Sequence, residues 1–355
     1  MAFGNHGLPD SRGLTASGGI ATPSEMEQAK ARPRVAVVGK SRSILTWFED
    51  LQQGFQEAGA EVLGIGTQAL NAAERWAEKR EGRRDLENPA VVDRMIAELE
   101  NFAPDLVVFQ NRGGLVNSAW ERLAPSLKNT HVVGWLCDHM GGVPHGQEAC
   151  FDQVYYFDSG CIPALEKFYG SAAPLSFLPL AVNPERYPWM GDRPRKPAVV
   201  FAGKCSQHRR ALFDRVKSEG LPIEVFGPGC RDFLRPWRGR RISSGSLAKI
   251  YASYLGCLSP LQPGNTECGL NLRAFEAPCS GGAVLYPEVP DLPLCFEPGK
   301  EVIGYDDFAG LAVAIRHLLA NPEYADQVAR AGRERVLAEH TFLHRARRLL
   351  GEAGM

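Results

Sequence analysis

The stretch VAVVGKSRSILTWFEDLQQGFQEA, residues Val35–Ala58, decides the fold class. It opens with a short apolar run rich in valine, which is typical of a buried strand, and Gly39-Lys40-Ser41 ends that run. From about Ile44 the apolar residues recur at helical spacing as far as Ala58. The stretch therefore predicts a strand, a glycine turn and an amphipathic helix, the repeating unit of parallel α/β sheets.

The same alternation continues through the first half of the chain and restarts after a break. The break runs from Asn183 to Pro197, where four prolines stop regular structure. Beyond it, Ala198–Ala202 is predicted as a strand and Arg209–Glu219 as a helix. We predict two Rossmann-like α/β halves with parallel sheets, divided into a loose tail (1–32), a first domain (33–192), a second domain (193–339) and a C-terminal helix (340–355).

Composition excludes several classes of protein. The 355 residues are 44% apolar and 23% charged, as in a globular protein, and a formal net charge of -1 argues against nucleic-acid binding. No run reaches the roughly 18 apolar residues that a membrane span needs. The first 32 residues lack the apolar segment of a secretory signal. We therefore expect a cytoplasmic protein with at most peripheral membrane contact.

The nine cysteines include no Cys-x-x-Cys pair. A scattered, odd-numbered set is typical of reduced thiols and argues against a zinc site or a disulfide framework. We expect no metal and no cofactor.

Candidate site residues follow the predicted strands, because ligands of open parallel sheets bind beyond the carboxyl ends of the strands. Those of the first half are Gly39, Lys40, Asn111, Arg112, Asp138 and His139. Those of the second half include Gly203, Lys204, Gly227 and Asn265. Gly39-Lys40-Ser41 is not a phosphate-binding P-loop, since that motif needs a glycine where the chain has Arg34.

The strongest pattern is ECGLNLRAFEAPCSGG, residues Glu267–Gly282. Gly269, Leu270 and Asn271 lead into a short predicted helix that carries Arg273 and Glu276. A glycine loop at a helix N-terminus suits a diphosphate, and a carboxylate further along can accept hydrogen bonds from a ribose. Lys204 and Arg209 could neutralise the phosphates. Alternatively, Arg273 and Glu276 form an exposed i, i+3 pair on a surface helix.

These residues resemble the C-terminal half of the CgeB-like, spore-maturation-type glycosyltransferases. Further matching segments are Phe296–Val302, Ala331–Val336 and His340-Thr341-Phe342, with a looser similarity in the first half at Trp135–Asp138, Phe157-Asp158 and Leu178–Ala181. The resemblance implies the two-domain GT-B fold and a nucleotide-diphosphate sugar as donor, with an unidentified acceptor. It also implies catalysis without a metal and a last helix that can cross back to the first domain.

Within this resemblance, Glu276 matches the glutamate that holds the donor ribose in retaining enzymes, so a retaining hexosyltransferase is expected. Those enzymes usually carry another glutamate eight positions earlier, where this chain has Cys268, preceded by Glu267. Lys204, Arg209 and Arg273 would stabilise the leaving diphosphate together with the helix N-terminus.

The catalytic candidates are Asp138 and His139, which could orient or deprotonate the acceptor hydroxyl. Alternatively, Asp138 caps the segment that follows and His139 lines the wall of the cleft. Two other functions stay open: a nucleotide-sugar epimerase of the same fold, with Asp138 or Glu267 as acid and base, and a catalytically silent nucleotide-binding or scaffold protein.

Two basic segments have simpler interpretations. Residues Arg231–Arg241 mix arginines with aromatics, which suits a membrane surface, an anionic acceptor or a solvated loop. Arg345, Arg347 and Arg348 are predicted near the C-terminal end of a helix, where cations complement the helix dipole.

Overall fold

The strands of the described residues form two separate parallel sheets. The computed structural model describes residues 32–41, 46–83, 85–111, 117–137, 150–170, 174–229 and 242–355. The predicted tail up to residue 31, the site candidates Arg112, Asp138 and His139, and the basic segment Arg231–Arg241 lie outside these ranges. Residues Pro33–Met355 form one compact unit.

The first sheet has the strand order β2-β1-β3-β4-β5-β6, with every neighbouring pair parallel. Its strands are β1 (Arg34–Gly39), β2 (Glu61–Gly66), β3 (Leu106–Gln110), β4 (His131–Leu136), β5 (Gln153–Tyr156) and β6 (Leu175–Phe177). Its helices are α1 (Trp47–Glu57), α2 (Ala72–Glu81), α3 (Pro89–Phe102), α4 (Asn117–Leu123) and α5 (Ile162–Tyr169). Short 3-10 turns cover Asp85–Glu87, Ala124–Leu127 and Ser159–Cys161.

The second sheet has the strand order β11-β10-β9-β7-β8 and is also parallel throughout. Its strands are β7 (Lys196–Ala202), β8 (Ile223–Phe226), β9 (Tyr254–Leu258), β10 (Val284–Pro287) and β11 (Ile303–Tyr305). Its helices are α6 (Gln207–Ser218), α7 (Ser244–Ala252), α8 (Arg273–Ser280), α9 (Leu292–Cys295), α10 (Phe308–Ala320) and α11 (Pro322–Glu339), followed by α12 (Phe342–Glu352).

In both sheets the order in which the chain adds strands reverses beside the first strand of the sheet. Helices cover both faces of each sheet. The chain moves from β1 to β2 on one side and then to β3 on the other, and the order β8-β7-β9 repeats this pattern. Such a reversal leaves a crevice at the carboxyl ends of the two central strands. The prediction of two Rossmann-like α/β halves with parallel sheets is confirmed.

The helix α12 packs on α1 of the first half. The backbones approach so closely at Gly54 that a Cβ there would overlap the Phe342 carbonyl. Arg345 is only 5% exposed and donates to the carbonyl oxygens of Pro179 and Leu180 at 2.7 and 2.8 Å. The helix-dipole interpretation of Arg345 is therefore wrong, because this residue lies in the first turns of its helix and joins segments of the chain through buried hydrogen bonds.

Two further observations concern the cysteines and the membrane. The expectation of reduced thiols fails at Cys205, which is disulfide-bonded. The described cysteines that form no disulfide are Cys137, Cys150, Cys161, Cys257, Cys268, Cys279 and Cys295. Within the described ranges, no helix has the length and apolar character required to cross a membrane.

Candidate functional site

The crevice of the second sheet lies at the carboxyl ends of β7 and β9, and two glycines shape the adjoining ends of β7 and β8. Gly203 follows β7 with φ +152°, and its N–H donates to the Phe226 carbonyl at 2.8 Å. Gly227 follows β8 with φ +132°, and a Cβ there would overlap the Gly203 carbonyl oxygen. Side chains are excluded from both positions, so the buried Gly227 packs directly on the partly exposed backbone of Gly203.

Two arginines meet beside this crevice, over the ring of Phe201. The guanidinium carbon of Arg209, from α6, lies 5.3 Å from the ring centroid, and that of Arg273, from α8, lies 4.7 Å from it. Arg209 donates to the carbonyls of Lys204 and Pro260, both at 3.1 Å. These bonds tie the loops after β7 and β9 to one buried cation.

The guanidinium of Arg273 is held by groups at the ends of β7 and β9. Its Nε donates to the Ala202 carbonyl at 2.9 Å, and its Nη1 donates to the Ser259 hydroxyl at 3.1 Å. The side chain therefore lies along the carboxyl ends of β7 and β9, the point where the strand order reverses. The interpretation as an exposed surface pair is wrong, because Arg273 and Glu276 are both partly buried and contact different partners.

The two guanidinium groups make this edge electropositive. Neither forms an ion pair with a carboxylate in the part of the chain that the structure describes, and the buried Nε of Arg209 has no hydrogen-bond partner there. Burial, reinforced by the charge of Arg273, lowers the pKa of Arg209 to about 10. Two close cations that form no ion pair within the described ranges make a site that an anion would stabilise.

The segment ahead of α8 is held by hydrogen bonds within the second half. The Asn271 N–H donates to the Tyr286 hydroxyl at 2.9 Å, and the Asn271 Oδ1 accepts from the Arg273 N–H at 3.1 Å. Leu270 is 1% exposed and anchors the segment in the core. These hydrogen bonds, with one that the Ser259 hydroxyl donates to the Asn271 Oδ1 at 2.9 Å, fix Asn271 directly ahead of the helix that carries Arg273 and Glu276.

Glu276 lies one turn along α8 and faces a pocket lined by both halves. Its Oε1 accepts from the Tyr187 hydroxyl at 2.7 Å, and its Oε2 accepts from the Tyr251 hydroxyl at 3.4 Å. Burial raises the pKa of Glu276, while the Tyr187 hydrogen bond and the charge of Arg273 act in the opposite direction. The pocket is small, about 30 Å³, and is also lined by Trp47, Asp50, Asn183 and Ser244.

One family model matches part of the second half of the chain. Residues 207–351 match the family model described as glycosyl transferase-like, a range that contains Arg209, Arg273 and Glu276. No curated protein sequence matches the chain significantly.

Solved structures match almost the whole chain. Sucrose-phosphate synthase from Thermosynechococcus elongatus is similar with a TM-score of 0.58 at 16% identity, over 90% of this chain and 98% of its own. AviGT4, a glycosyltransferase involved in avilamycin A biosynthesis, is similar with a TM-score of 0.58 at 20% identity, over 91% of this chain and 97% of its own. The fold is GT-B. HepE from Anabaena in complex with UDP-glucose shares it, with a TM-score of 0.53 at 10% identity, over 90% of this chain and 99% of its own.

Of the remaining second-half candidates, two are exposed and one is buried. Lys204 is exposed beside the two arginines and contributes its carbonyl oxygen to Arg209. Asn265 is exposed after Gly264, which has φ +80°, and its N–H donates to the Gln262 carbonyl at 2.9 Å. Gly269 is buried against Asp158 of the first half and faces no open space.

The first-half candidates separate into structural and exposed positions. A Cβ at Gly39 would lie 2.8 Å from the Phe48 ring, so this glycine permits close packing of α1 on β1. Lys40 is exposed. Asn111 adopts φ +54° and its Oδ1 accepts from the Cys137 N–H at 2.6 Å, which fixes the ends of β3 and β4.

Sequence reasoning missed four residues of this GT-B site. Tyr187 and Tyr251 hold Glu276, and Asp158 and Asp291 bind backbone groups of the opposite half. Asp158 carried two signals, since it follows a strand like the other candidates and belongs to the matching segment Phe157-Asp158, but neither assigned it a role. Tyr187 belongs to the proline-rich break, where no sequence pattern indicates a partner.

Proposed function

We propose that this protein is a glycosyltransferase that moves a sugar from a nucleotide-diphosphate donor to an unidentified acceptor. The observation that carries the proposal is the Arg209–Arg273 pair, which lies at the strand reversal of a glycosyl transferase-like domain without a carboxylate partner among the described residues. A diphosphate would supply the missing negative charge, and the partly exposed backbone at Gly203 would let it approach.

The arginines would also stabilise the leaving diphosphate. When the bond from the sugar to the diphosphate breaks, negative charge develops on the phosphate oxygens, and fixed cations in a partly buried site act strongly on it. Lys204 can add a third, mobile charge from the exposed loop. We propose on this basis a reaction that needs no metal or cofactor, with the protein's own cations in the electrostatic role.

Glu276 is proposed to hold the donor ribose. An ionised carboxylate offers about four lone-pair positions, and the two tyrosine hydroxyls use only two of them. The others remain for ribose hydroxyls at the pocket surface. Since the two tyrosines fix the carboxylate before a ligand arrives, little side-chain freedom would be lost on binding.

The finer assignments follow from the sequence resemblance. We propose membership of the CgeB-like type, a retaining outcome, a cytoplasmic location and an acceptor bound by the first half, with Asp138 and His139 acting on the acceptor hydroxyl. Cys268 stands at the position of the usual first glutamate, so retention is the assignment that most needs a direct measurement. Because HepE has been solved with UDP-glucose, uridine nucleotides are the first donors to test.

The test is a thermal-shift panel of UDP, GDP, ADP and dTDP and their glucose conjugates, with Glu276→Ala beside the parent. A ligand at about 100 times its dissociation constant adds ~2.7 kcal/mol to stability. We expect one nucleotide to stabilise the parent and to lose this effect in the variant. If no nucleotide stabilises a folded parent, the donor site is wrong.

Incubation with the identified nucleotide sugar then distinguishes the transferase, the epimerase and the catalytically silent protein. Release of nucleoside diphosphate with transfer or hydrolysis of the sugar supports the transferase, and NMR of the product's anomeric proton decides retention. Conversion of the sugar without release of the nucleotide would instead establish the epimerase. Binding without either reaction across an acceptor panel would favour the catalytically silent protein.

A further inference from the structure

Two buried aspartates outside the arginine pair join the halves of the molecule. Asp158 follows β5 in the first half and Asp291 precedes α9 in the second, and both are 0% exposed. Among the described residues, neither forms an ion pair; hydrogen-bond donors surround both carboxylates. Burying a carboxylate is costly unless donors compensate its charge, so the donors it binds indicate its role.

Asp158 binds the backbone of the second half. Its Oδ2 accepts from the Glu267 N–H at 2.6 Å, and its Oδ1 accepts from the Cys268 N–H at 3.0 Å. The Gly160 N–H also donates to Oδ1 at 3.0 Å. A Cβ at Gly269 would lie 2.9 Å from the Asp158 Cα, so the two backbones are in contact and only glycine fits.

Asp291 makes the reciprocal connection. Its Oδ2 accepts from the Ser159 N–H at 2.9 Å, and its Oδ1 accepts from the Ser159 hydroxyl. The Asp291 N–H in turn donates to the Cys268 carbonyl at 3.2 Å. Each half thus contributes one buried carboxylate that binds backbone of the other half. The Asp158 carboxylate binds the loop Glu267–Cys268. The Asp291 carboxylate binds Ser159, and the Asp291 N–H binds that same loop.

That loop leads directly into the proposed donor site. Only a few residues separate Cys268 from Arg273, and the intervening segment is buried or hydrogen-bonded. We propose that Asp158 is a positioning residue for the nucleotide-diphosphate sugar. From the first half it fixes the Glu267–Cys268 backbone, and so aligns Arg273 and Glu276 for the donor. The inference rests on the proposed function, and Ser159 and Asp291 complete the contact.

The first test is Asp158→Asn. An amide has one acceptor oxygen and turns an NH₂ group toward an N–H donor, so it cannot bind both Glu267 and Cys268. The probe is whichever of UDP, GDP, ADP and dTDP stabilises the parent most. We expect its affinity to fall about 10- to 100-fold, the range for loss of a charge-assisted hydrogen bond. Hydrogen exchange at residues 267 and 268 should become faster in the free protein. Glu334→Gln, an exposed carboxylate on α11, is the matched control.

A cross-link provides a rescue that a merely structural role would not show. A Cβ at Gly160 would lie 2.8 Å from the Cys268 Sγ, close to the spacing across a disulfide, and Gly160 is not in the left-handed region. Adding Gly160→Cys to Asp158→Asn should permit an oxidative bond to Cys268 that replaces the lost contact. Nucleotide affinity should return on oxidation and fall again on reduction. The parent is measured under both conditions, since Cys205 is disulfide-bonded.

The outcomes are distinct. Unchanged affinity and unchanged exchange in Asp158→Asn overturn the proposal, as does a cross-link that forms without restoring affinity. If Asp158→Asn does not fold, Gly160→Cys in the parent background decides: the proposal requires that the cross-linked protein bind nucleotide like the parent. A parent that binds no nucleotide overturns the proposed function, and the exchange data still decide whether Asp158 holds the loop.

Discussion

The Tyr187 hydroxyl donates a 2.7 Å hydrogen bond to Glu276, so a residue of the proline-rich break fixes a carboxylate of the second half. Burial of this carboxylate raises its pKa, and burial together with the negative charge of Glu276 raises the pKa of Tyr187. Tyr187 therefore stays protonated and donates to Glu276. The Glu276 carboxylate is held in one orientation but has lost most of its contact with water.

Glu276→Gln should change how stability depends on pH. The pKa of Glu276 is raised above its ordinary 4.5 in the folded protein. In the pH window between 4.5 and this raised pKa, the folded state therefore binds more protons than the unfolded state. Ionisation of Glu276 therefore destabilises the fold as the pH rises through this window, by at most ~1.4 kcal/mol per pH unit. We expect urea unfolding to show this decrease in the parent and a flatter profile in Glu276→Gln. An identical decrease in both proteins would contradict it.

Arg273→Ala should weaken catalysis more than it weakens folding. Removal of one preorganised donor to a developing charge costs ~3–4 kcal/mol in the transition state, about 100- to 1,000-fold in rate. The measurement is kcat and KM for the nucleotide sugar identified by the thermal-shift panel. Arg210→Ala, an exposed arginine on α6, is the control and should retain the parent's values. Equal activity of Arg273→Ala and Arg210→Ala would remove Arg273 from the site.

Gly227→Ala and Gly245→Ala should have opposite effects on stability. Gly227 has φ +132° and its Cβ would overlap the Gly203 carbonyl, so we expect a loss of at least ~1–3 kcal/mol. Gly245 lies in α7 with no atom within 4 Å of a Cβ, so alanine there should be neutral or stabilise by up to ~1 kcal/mol. Chemical denaturation measures both. A stable Gly227→Ala protein would mean that the loops after β7 and β8 are not in contact in solution.

His340 should make the protein sensitive to acid. Burial and the charge of Arg345 lower its pKa from 6.5 to about 3. Neutral His340 bridges the Cys295 carbonyl at 2.8 Å and Arg345 at 2.9 Å. The unfolded state binds the extra proton, so this contribution is complete above about pH 6.5 and is lost as the pH falls toward 3. Unfolding measured between about pH 7 and pH 4.5 should show a smaller decrease in His340→Gln than in the parent, whereas His208→Gln should follow the parent.

Sequence patterns predicted the elements better than their ends and contacts. The helix predicted over Arg209–Glu219 begins two residues earlier, at Gln207, where the Ser206 side chain caps it, and ends at Ser218. The strand Ile303–Tyr305 was not predicted, because three residues are too few to show a period. The roles of Arg209, Arg273 and Glu276 in donor binding stay predictions, although the structure brings the first two to one ring.

The sequence by itself determined the two α/β halves, since hydrophobic period, glycine turns and prolines are local signals that each segment carries alone. It also placed Gly203 and Arg273 near one sheet edge, because the carboxyl ends of parallel strands meet there. Only the tertiary structure decided the partners of Glu276, Arg345 and Asp158. The Asp158–Glu267 bond joins residues 109 positions apart. Such pairs depend on how the halves pack, and a buried polar group then takes whichever donor that packing provides.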